Sequence, residues 1–282
     1  MSMQDKIFIP PIKIQGIKTK LVPLIAKYVC LDADTQWIEP FMGTGVVGFN
    51  LAPKRAIFND LNPYLIDFYK ALQNQTITSE TARKYLESEG EKLRKEDDSY
   101  YYEVRERFNK AHEPLDFLFL NRSGFNGMIR FNKNGEFNVP YGHKPNRFAK
   151  AYITKIVHQI EYVADRMLHS DWQFCSLSFD QVIDMADKHS FIYCDPPYIG
   201  RHVDYFDSWN ENNEQLLHDK LVLSGAKFMV STWDHNAYRK NTFLESCWSD
   251  CIKVNQDHYY FVGAKEENRV PMVEALLMNY RF

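Results

Sequence analysis

The sequence predicts an α/β chain built on an open, largely parallel sheet, and three observations lead there. Phe191-Ile192-Tyr193-Cys194 is a continuous apolar run, the pattern of a strand buried on both faces. Gln36-Trp37-Ile38-Glu39 reads as a second strand, followed by a turn from Pro40 to Gly45 and a helix start over Thr44 to Leu51. A strand, glycine-bearing turn and helix in that order make a nucleoside-binding unit in such sheets. Further short apolar runs, Ala56-Ile57-Phe58 and Phe228-Met229-Val230-Ser231, alternate with helical segments as parallel-sheet proteins require.

The remaining elements follow in order. Pro63 to Leu72 reads as a helix. Ser79 to Ala111 is a long polar helical stretch with interleaved Glu and Lys/Arg, badly suited to a central sheet, and it suggests an inserted helical unit. The run Tyr100-Tyr101-Tyr102 fits the apolar side of a helix pair. Pro114 to Leu120 is apolar and leads into Asn121 to Arg147, where Asn, Gly, Arg and Phe alternate around Asn134-Gly135, a strong hairpin signal. Ala151 to Leu168 reads as a helix returning to the sheet, and Asn213 to Leu223 as another helix. Tyr259-Tyr260-Phe261-Val262 and Val273 to Tyr280 read as closing strands.

Composition narrows the class. With 282 residues, 45% hydrophobic and 25% charged, the chain is an ordinary globular one. No apolar run approaches the roughly 20 residues of a membrane span, and the N terminus lacks a signal-peptide core. Five scattered cysteines without a C-x-x-C point to reduced thiols and a cytoplasmic protein. The nine histidines show no metal-ligand spacing, so no metal is expected. Net charge is −3, yet the cations cluster. Between Asn121 and Lys155 stand Arg122, Arg130, Lys133, Lys144, Arg147, Lys150 and Lys155 against Glu136 alone. Such a patch suits a polyanion, or a merely solvated face.

The chemistry concentrates in Asp195-Pro196-Pro197-Tyr198, just past the carboxyl end of the apolar strand, where open α/β sheets place ligands. The exocyclic amine of a nucleobase is a poor nucleophile because its lone pair is delocalised into the ring. Two acceptors aimed at its two N–H groups localise that pair. The Asp195 carboxylate offers one and the Pro196 carbonyl, held by its rigid ring, the other. Tyr198 offers a face for a base taken out of a duplex. Asp60, an acid at a strand end after the glycines, suits ribose hydroxyls; the alternative is a cap for the helix near Pro63. Gly43-Thr44-Gly45-Val46-Val47-Gly48 also fits the dinucleotide spacing, so the glycines alone leave a nicotinamide dehydrogenase open. No hydride-transfer constellation accompanies them.

These segments together resemble the Dam-type, D12 class of DNA adenine-N6 methyltransferases. The resemblance is carried by Asp195 to Tyr198, by Pro10-Pro11-Ile12-Lys13 through Gly16-Ile17-Lys18, by Glu39-Pro40-Phe41-Met42-Gly43-Thr44-Gly45 and by Asn59-Asp60-Leu61-Asn62. It extends through Asn121-Arg122-Ser123-Gly124-Phe125-Asn126-Gly127 and Gly135-Glu136-Phe137-Asn138-Val139-Pro140-Tyr141-Gly142, and covers nearly the whole chain. Arg201-His202-Val203-Asp204-Tyr205-Phe206 and Pro271 to Leu276 look like the modification methylases that act at GATATC. Two positions depart from the usual pattern: Gly16-Ile17-Lys18 replaces Gly-Gly-Lys, and Glu39 replaces the leading Asp.

The resemblance implies a Rossmann-like S-adenosylmethionine-dependent methyltransferase sheet, formed by residues 1–69 and 151–282, with residues 70–150 an inserted helical and β-hairpin recognition module. It implies S-adenosyl-L-methionine as cofactor, held by Gly16, Lys18, Glu39, Pro40, Phe41, Gly43, Gly45, Asp60 and Asp195, with Asp195, Pro196, Pro197 and Tyr198 catalytic. Double-stranded DNA is the implied partner, with Lys13, Arg130, Asn132 and Asn138 facing bases, Arg122, Lys144 and Arg147 at phosphates, and Asn126 also in contact. A monomer is expected, without a stable complex with any cognate restriction endonuclease. Two rivals are an RNA guanine-N2 methyltransferase and a DNA-binding module without activity.

Overall fold

All five residues of the strand at Ser190–Cys194 are buried, because paired strands cover both of its edges and hydrophobic clusters both of its faces. The computed structural model describes residues 6–198, 209–238, 240–259 and 271–282. In chain order the elements are α1 (Val22–Tyr28), β1 (Gln36–Glu39), α2 (Val46–Leu51), β2 (Arg55–Asn59), α3 (Pro63–Gln73), α4 (Ser79–Glu96), α5 (Asp98–Ala111) and α6 (Pro114–Ser123). Then come α7 (Lys150–Leu168), β3 (Asp171–Cys175), α8 (Phe179–Ile183), β4 (Ser190–Cys194), α9 (Glu211–Leu223), β5 (Lys227–Asn236), α10 (Phe243–Ser246), β6 (Ile252–Tyr259) and β7 (Pro271–Met278).

Among the described residues the strands form one seven-stranded sheet in the order β3-β2-β1-β4-β5-β7-β6. The first five run parallel, and β7 pairs antiparallel with β5 and β6. From β1 the chain moves outward to β2 on one side, while from β4 it moves to β5 on the other. The crevice between the carboxyl ends of β1 and β4 is therefore the topological switch point, where such sheets bind ligands. Side chains alternate between two cores. Trp37, Phe58, Phe191 and Tyr193 face one, with α2, α3 and α7; Ile38, Ile57, Ile192 and Cys194 face the other, with α8 and α9. This is the Rossmann-like methyltransferase sheet that the sequence implies.

The structure refines several expectations. The stretch Ser79 to Ala111 is two helices, turning at Asp97, whose φ is 50°. Tyr100 and Tyr101 are buried between them and the segment that follows, and Tyr101 donates to the Val139 carbonyl at 2.9 Å. Arg107 of α5 locks this unit by bonding Asp116 of α6 and Glu89 of α4. The expected hairpin around Asn134-Gly135 forms no named strands: it has two isolated antiparallel bridges, Phe131 to Phe137 and Gly124 to Tyr141, and Asn132 N donates to the Glu136 carbonyl at 2.9 Å near its tip. The expected boundary at residue 70 falls inside α3, and one core runs continuously from Leu65 and Leu72 into Leu86 and Tyr101. β3 was not foreseen. The closing strand expected at Tyr259 to Val262 instead begins at Ile252; Tyr260 to Val262 and the segment Arg201 to Phe206 lie outside the described residues. No described helix is long and apolar enough to cross a membrane.

Candidate active site

The carboxyl ends of β1, β2 and β4 open into a cavity of about 540 Å³. It is lined by Gly16, Lys18, Glu39, Pro40, Phe41, Gly43 and Asp60, and by all of Asp195, Pro196, Pro197 and Tyr198. The sequence places these residues far apart; parallel pairing of β1 with β2 and β4 brings them together.

The turn after β1 is shaped by Asp60. Its Oδ2 accepts from Gly43 N at 3.0 Å and its Oδ1 from Asn62 N at 2.9 Å. The cap of α3 is Asn62, accepting from Tyr64 N and Leu65 N, so Asp60 is left for the cavity. Burial raises the Asp60 carboxyl, and the two backbone N–H groups oppose that rise. Asn59, missed as a functional residue by sequence reasoning, is 1% exposed and pins three strand ends together. It donates to the carbonyls of Pro40 and Leu177 and accepts from Leu177 N.

Gly43 and Gly45 differ in role. Gly43 has φ +49°, and a Cβ there would meet only Ile14 at 3.9 Å, so it would stand in cavity space a ligand needs. Gly45 does not line the cavity, which corrects its expected cofactor contact. Its φ is +74° and a Cβ would lie 2.5 Å from the Phe49 ring, so it permits the turn into α2. Gly48 lets α2 approach β1 and β2, and its N–H donates to Glu39 Oε2 at 3.2 Å. Trp37 Nε1 donates to the same oxygen at 3.0 Å. Burial nevertheless pushes the Glu39 carboxyl up to about 8. Phe41, Phe179 and Trp209 pack edge and face within 5.5 Å of one another at one end of the cavity, an apolar wall for a planar ring. Phe179 and Trp209 carried no motif, and their role follows only from the fold.

At the other end, Asp195 Oδ1 pairs with the Lys18 ammonium at 3.0 Å and accepts from Ser231 Oγ at 2.9 Å. Lys18 also sits 4.9 Å from the centre of the Tyr198 ring, whose hydroxyl lies 3.4 Å from Glu274 Oε1. Burial works against the Lys18 charge, but Asp195, Tyr198 and Glu274 outweigh it and hold the ammonium well above the usual lysine range. Burial pushes the Tyr198 phenol up. Lys18 therefore meets the Asp195 carboxylate directly, a closer contact than its expected place beside the cofactor implied.

The residues expected to face DNA are distributed unevenly. Asn121, fully buried, holds the N-terminal segment to α6 by accepting from Lys13 N and donating to the Lys13 carbonyl, both at 2.8 Å. Lys13 thereby joins the basic patch. Burial, then Arg122, Arg147, Lys155 and Lys144, lower its ammonium to about 8. Lys144 is exposed and Arg147 half-buried. Arg122 is a correction: it is 8% exposed in α6, its guanidinium bonds Gln159 of α7, and its Nε has no partner, so it does not present itself to a phosphate. Asn126 is exposed with φ 53°. Asn132 is committed to the turn, accepting from Asn134 N and Glu136 N and donating to Glu136. Asn138 braces Arg130, whose Nε and Nη2 donate to its side-chain and main-chain oxygens at 2.8 and 3.1 Å. Of the hairpin side chains expected at bases, Arg130 retains donors to spare.

The cavity fits S-adenosyl-L-methionine: acids at two positions for its amino group and ribose, an apolar wall for its adenine, and a Gly43 turn open to close approach.

The DNA adenine methylase of Vibrio cholerae is 35% identical over 193 residues, covering 66% of this chain and 64% of its own. The Type II methyltransferase M.FokI of Planomicrobium okeanokoites is 28% identical over 282 residues, covering 96% of this chain and 42% of its own. The chain thus spans less than two thirds of the length of either relative. An rRNA methyltransferase of Streptomyces viridochromogenes superposes with a TM-score of 0.39 at 10% identity, covering 99% of this chain and 87% of its own, a likeness too loose to bear on function. Residues 15–262 match the model of the D12 class N6 adenine-specific DNA methyltransferases, and the chain belongs to that family.

Proposed function

We propose that the protein transfers a methyl group from S-adenosyl-L-methionine to N6 of adenine in double-stranded DNA at a specific site. The observation that carries this is the convergence of Asp195, Pro196, Pro197 and Tyr198 with Glu39 and Asp60 on one cavity at the switch point. Gly16, Lys18, Glu39, Pro40, Phe41, Gly43 and Asp60 surround the cofactor in this reading. When bound, the cofactor would supply a sulfonium methyl: the N6 lone pair would form the N–C bond, the C–S pair would stay on sulfur, and the nitrogen would lose its extra proton to water. The target adenine leaves the duplex and stacks on Tyr198. Asp195 and the Pro196 carbonyl accept its two amine hydrogens and localise the lone pair, which is preorganised electrostatics rather than covalent catalysis.

Residues 70–150 serve as the recognition module. Lys13 and Arg130 read base edges, Lys144 and Arg147 contact phosphates, and Asn126 sits at the same face. The reading includes a cytoplasmic monomer in a restriction–modification setting, without a stable complex with an endonuclease, and GATATC or another GAT-containing site as the target.

Modification-aware sequencing of genomic DNA from a methylation-free bacterial host expressing the chain tests this directly. N6-methyladenine confined to GATATC is the expected result. Methylation at a different GAT-containing site keeps the reaction and discards that specificity. Soluble protein with no methylated DNA, but methylated ribosomal RNA, overturns the reading.

A further inference from the structure

The last paired positions of β4 and β5 are Cys194 and Val230, so the parallel register sets Ser231 opposite Asp195. Ser231 is fully buried and directly follows the buried apolar run Phe228-Met229-Val230. Its Oγ lies 2.9 Å from Asp195 Oδ1 and accepts from the Tyr193 hydroxyl at 3.1 Å. Tyr193 is itself buried, stacked near Trp37. The hydroxyls thus form a relay from Tyr193 through Ser231 to the carboxylate. Lys18 Nζ lies 3.0 Å from the same oxygen, so a hydroxyl and an ammonium both meet Oδ1.

We propose that Ser231, backed by Tyr193, is a positioning residue for methyl transfer. It ties down Oδ1 and fixes the rotation of the Asp195 carboxylate so that Oδ2 is presented to the amine hydrogen. The terminal torsion of an aspartate is broad and roughly two-fold, so a fixed hydroxyl bonded to Oδ1, with the Lys18 ammonium beside the same oxygen, restricts it. A site held in this way does not reorganise when the base arrives. This inference rests on the reading of Asp195 as the acceptor of an amine hydrogen.

The test uses the full chain as wild type, S231A, Y193F and the double variant, on a duplex that the wild type methylates. S231A lowers kcat about ten- to hundredfold, the weight of a hydrogen bond to a charged group, with KM for DNA and methyl donor within about twofold. Y193F lowers kcat about threefold in the wild-type background and leaves it unchanged in S231A, because Tyr193 acts only through Ser231. A purely structural role for Ser231 would give neither the kcat–KM split nor this non-additivity. Should S231A fail to fold, S231T against S231C repeats the comparison between a hydroxyl and a weak donor, and kcat follows the hydroxyl. Wild-type kcat in S231A, or additive losses, overturns the inference. A wild type inactive on every duplex overturns instead the reading beneath it, a separate result.

Discussion

Lys13 and Lys18 lie five residues apart on one N-terminal segment, yet their surroundings are opposite. Lys18 is buried against the Asp195 carboxylate and held charged. Lys13 is half-buried among Arg122, Arg147, Lys155 and Lys144, and its ammonium is pushed down to about 8. The Lys18 charge is paired within the protein. The Lys13 cluster is balanced only when negative charge arrives. The contrast separates a cation whose partner is built into the fold from a cluster of cations whose positive field suits a polyanion. Each prediction below tests one side of it.

The largest effect falls on the compensated side. D195A removes the acceptor that localises the amine lone pair, and turnover falls by at least about a hundredfold, the weight of one preorganised group. Binding of duplex and of methyl donor, followed by fluorescence titration, stays within a few-fold. The melting temperature drops as well, because Lys18 loses its closest carboxylate. Turnover at the wild-type rate would remove Asp195 from the mechanism.

Next in size is Arg130, on the uncompensated side. R130A costs about 1–3 kcal/mol of discrimination at one base position. N138A frees Arg130 from its brace and gives a smaller loss at the same position. Competition binding against duplexes altered one pair at a time measures both. A uniform loss across all sequences would make Arg130 a phosphate contact instead.

Lys13 supplies the third test, with a defined sign. Its folded value of about 8 lies below the ordinary 10.5, so native stability increases as pH rises from about 8 toward 10.5. Duplex phosphates favour the charged form, so DNA binding takes up a proton near pH 8. Affinity at fixed salt therefore weakens as pH rises from 7 to 9, by up to about tenfold per unit. K13R keeps its charge and flattens the curve. An unchanged slope in K13R would assign the effect to another group.

How much of this was legible in the sequence depends on whether a feature is local. β4 was legible because burial on both faces leaves a continuous apolar run, and the place of Asp195 to Tyr198 at the cavity because they directly follow that strand. β3, at the edge of the sheet, alternates exposed Asp171 and Gln173 with buried Trp172 and Phe174, too short a pattern to stand out. Ser231 was read only as the end of a strand; its meeting with Asp195 depends on the β4–β5 register across 36 residues. Arg122 misled for the converse reason. Charge counting places it in a basic patch, but only the packing of α6 on α7 shows that its guanidinium turns inward to Gln159.

The smallest expected effect belongs to Glu39, a buried acid on the compensated side whose carboxyl rises from an ordinary 4.5 to about 8 through burial. Between those values the native chain keeps a proton that the unfolded chain has lost, so Glu39 weakens stability progressively as pH rises through that window. A cofactor ammonium beside it favours the ionised form, so cofactor binding near pH 7 releases a fraction of a proton and tightens modestly as pH rises toward 8. Calorimetry in two buffers of different ionisation enthalpy reads the release, and E39Q abolishes it while keeping an oxygen for Trp37 and Gly48 to bond. Release that persists in E39Q would move the ammonium contact to another acid in the cavity. Asp60, already bonded to two backbone N–H groups at the carboxyl end of the neighbouring strand, would then be the group to test.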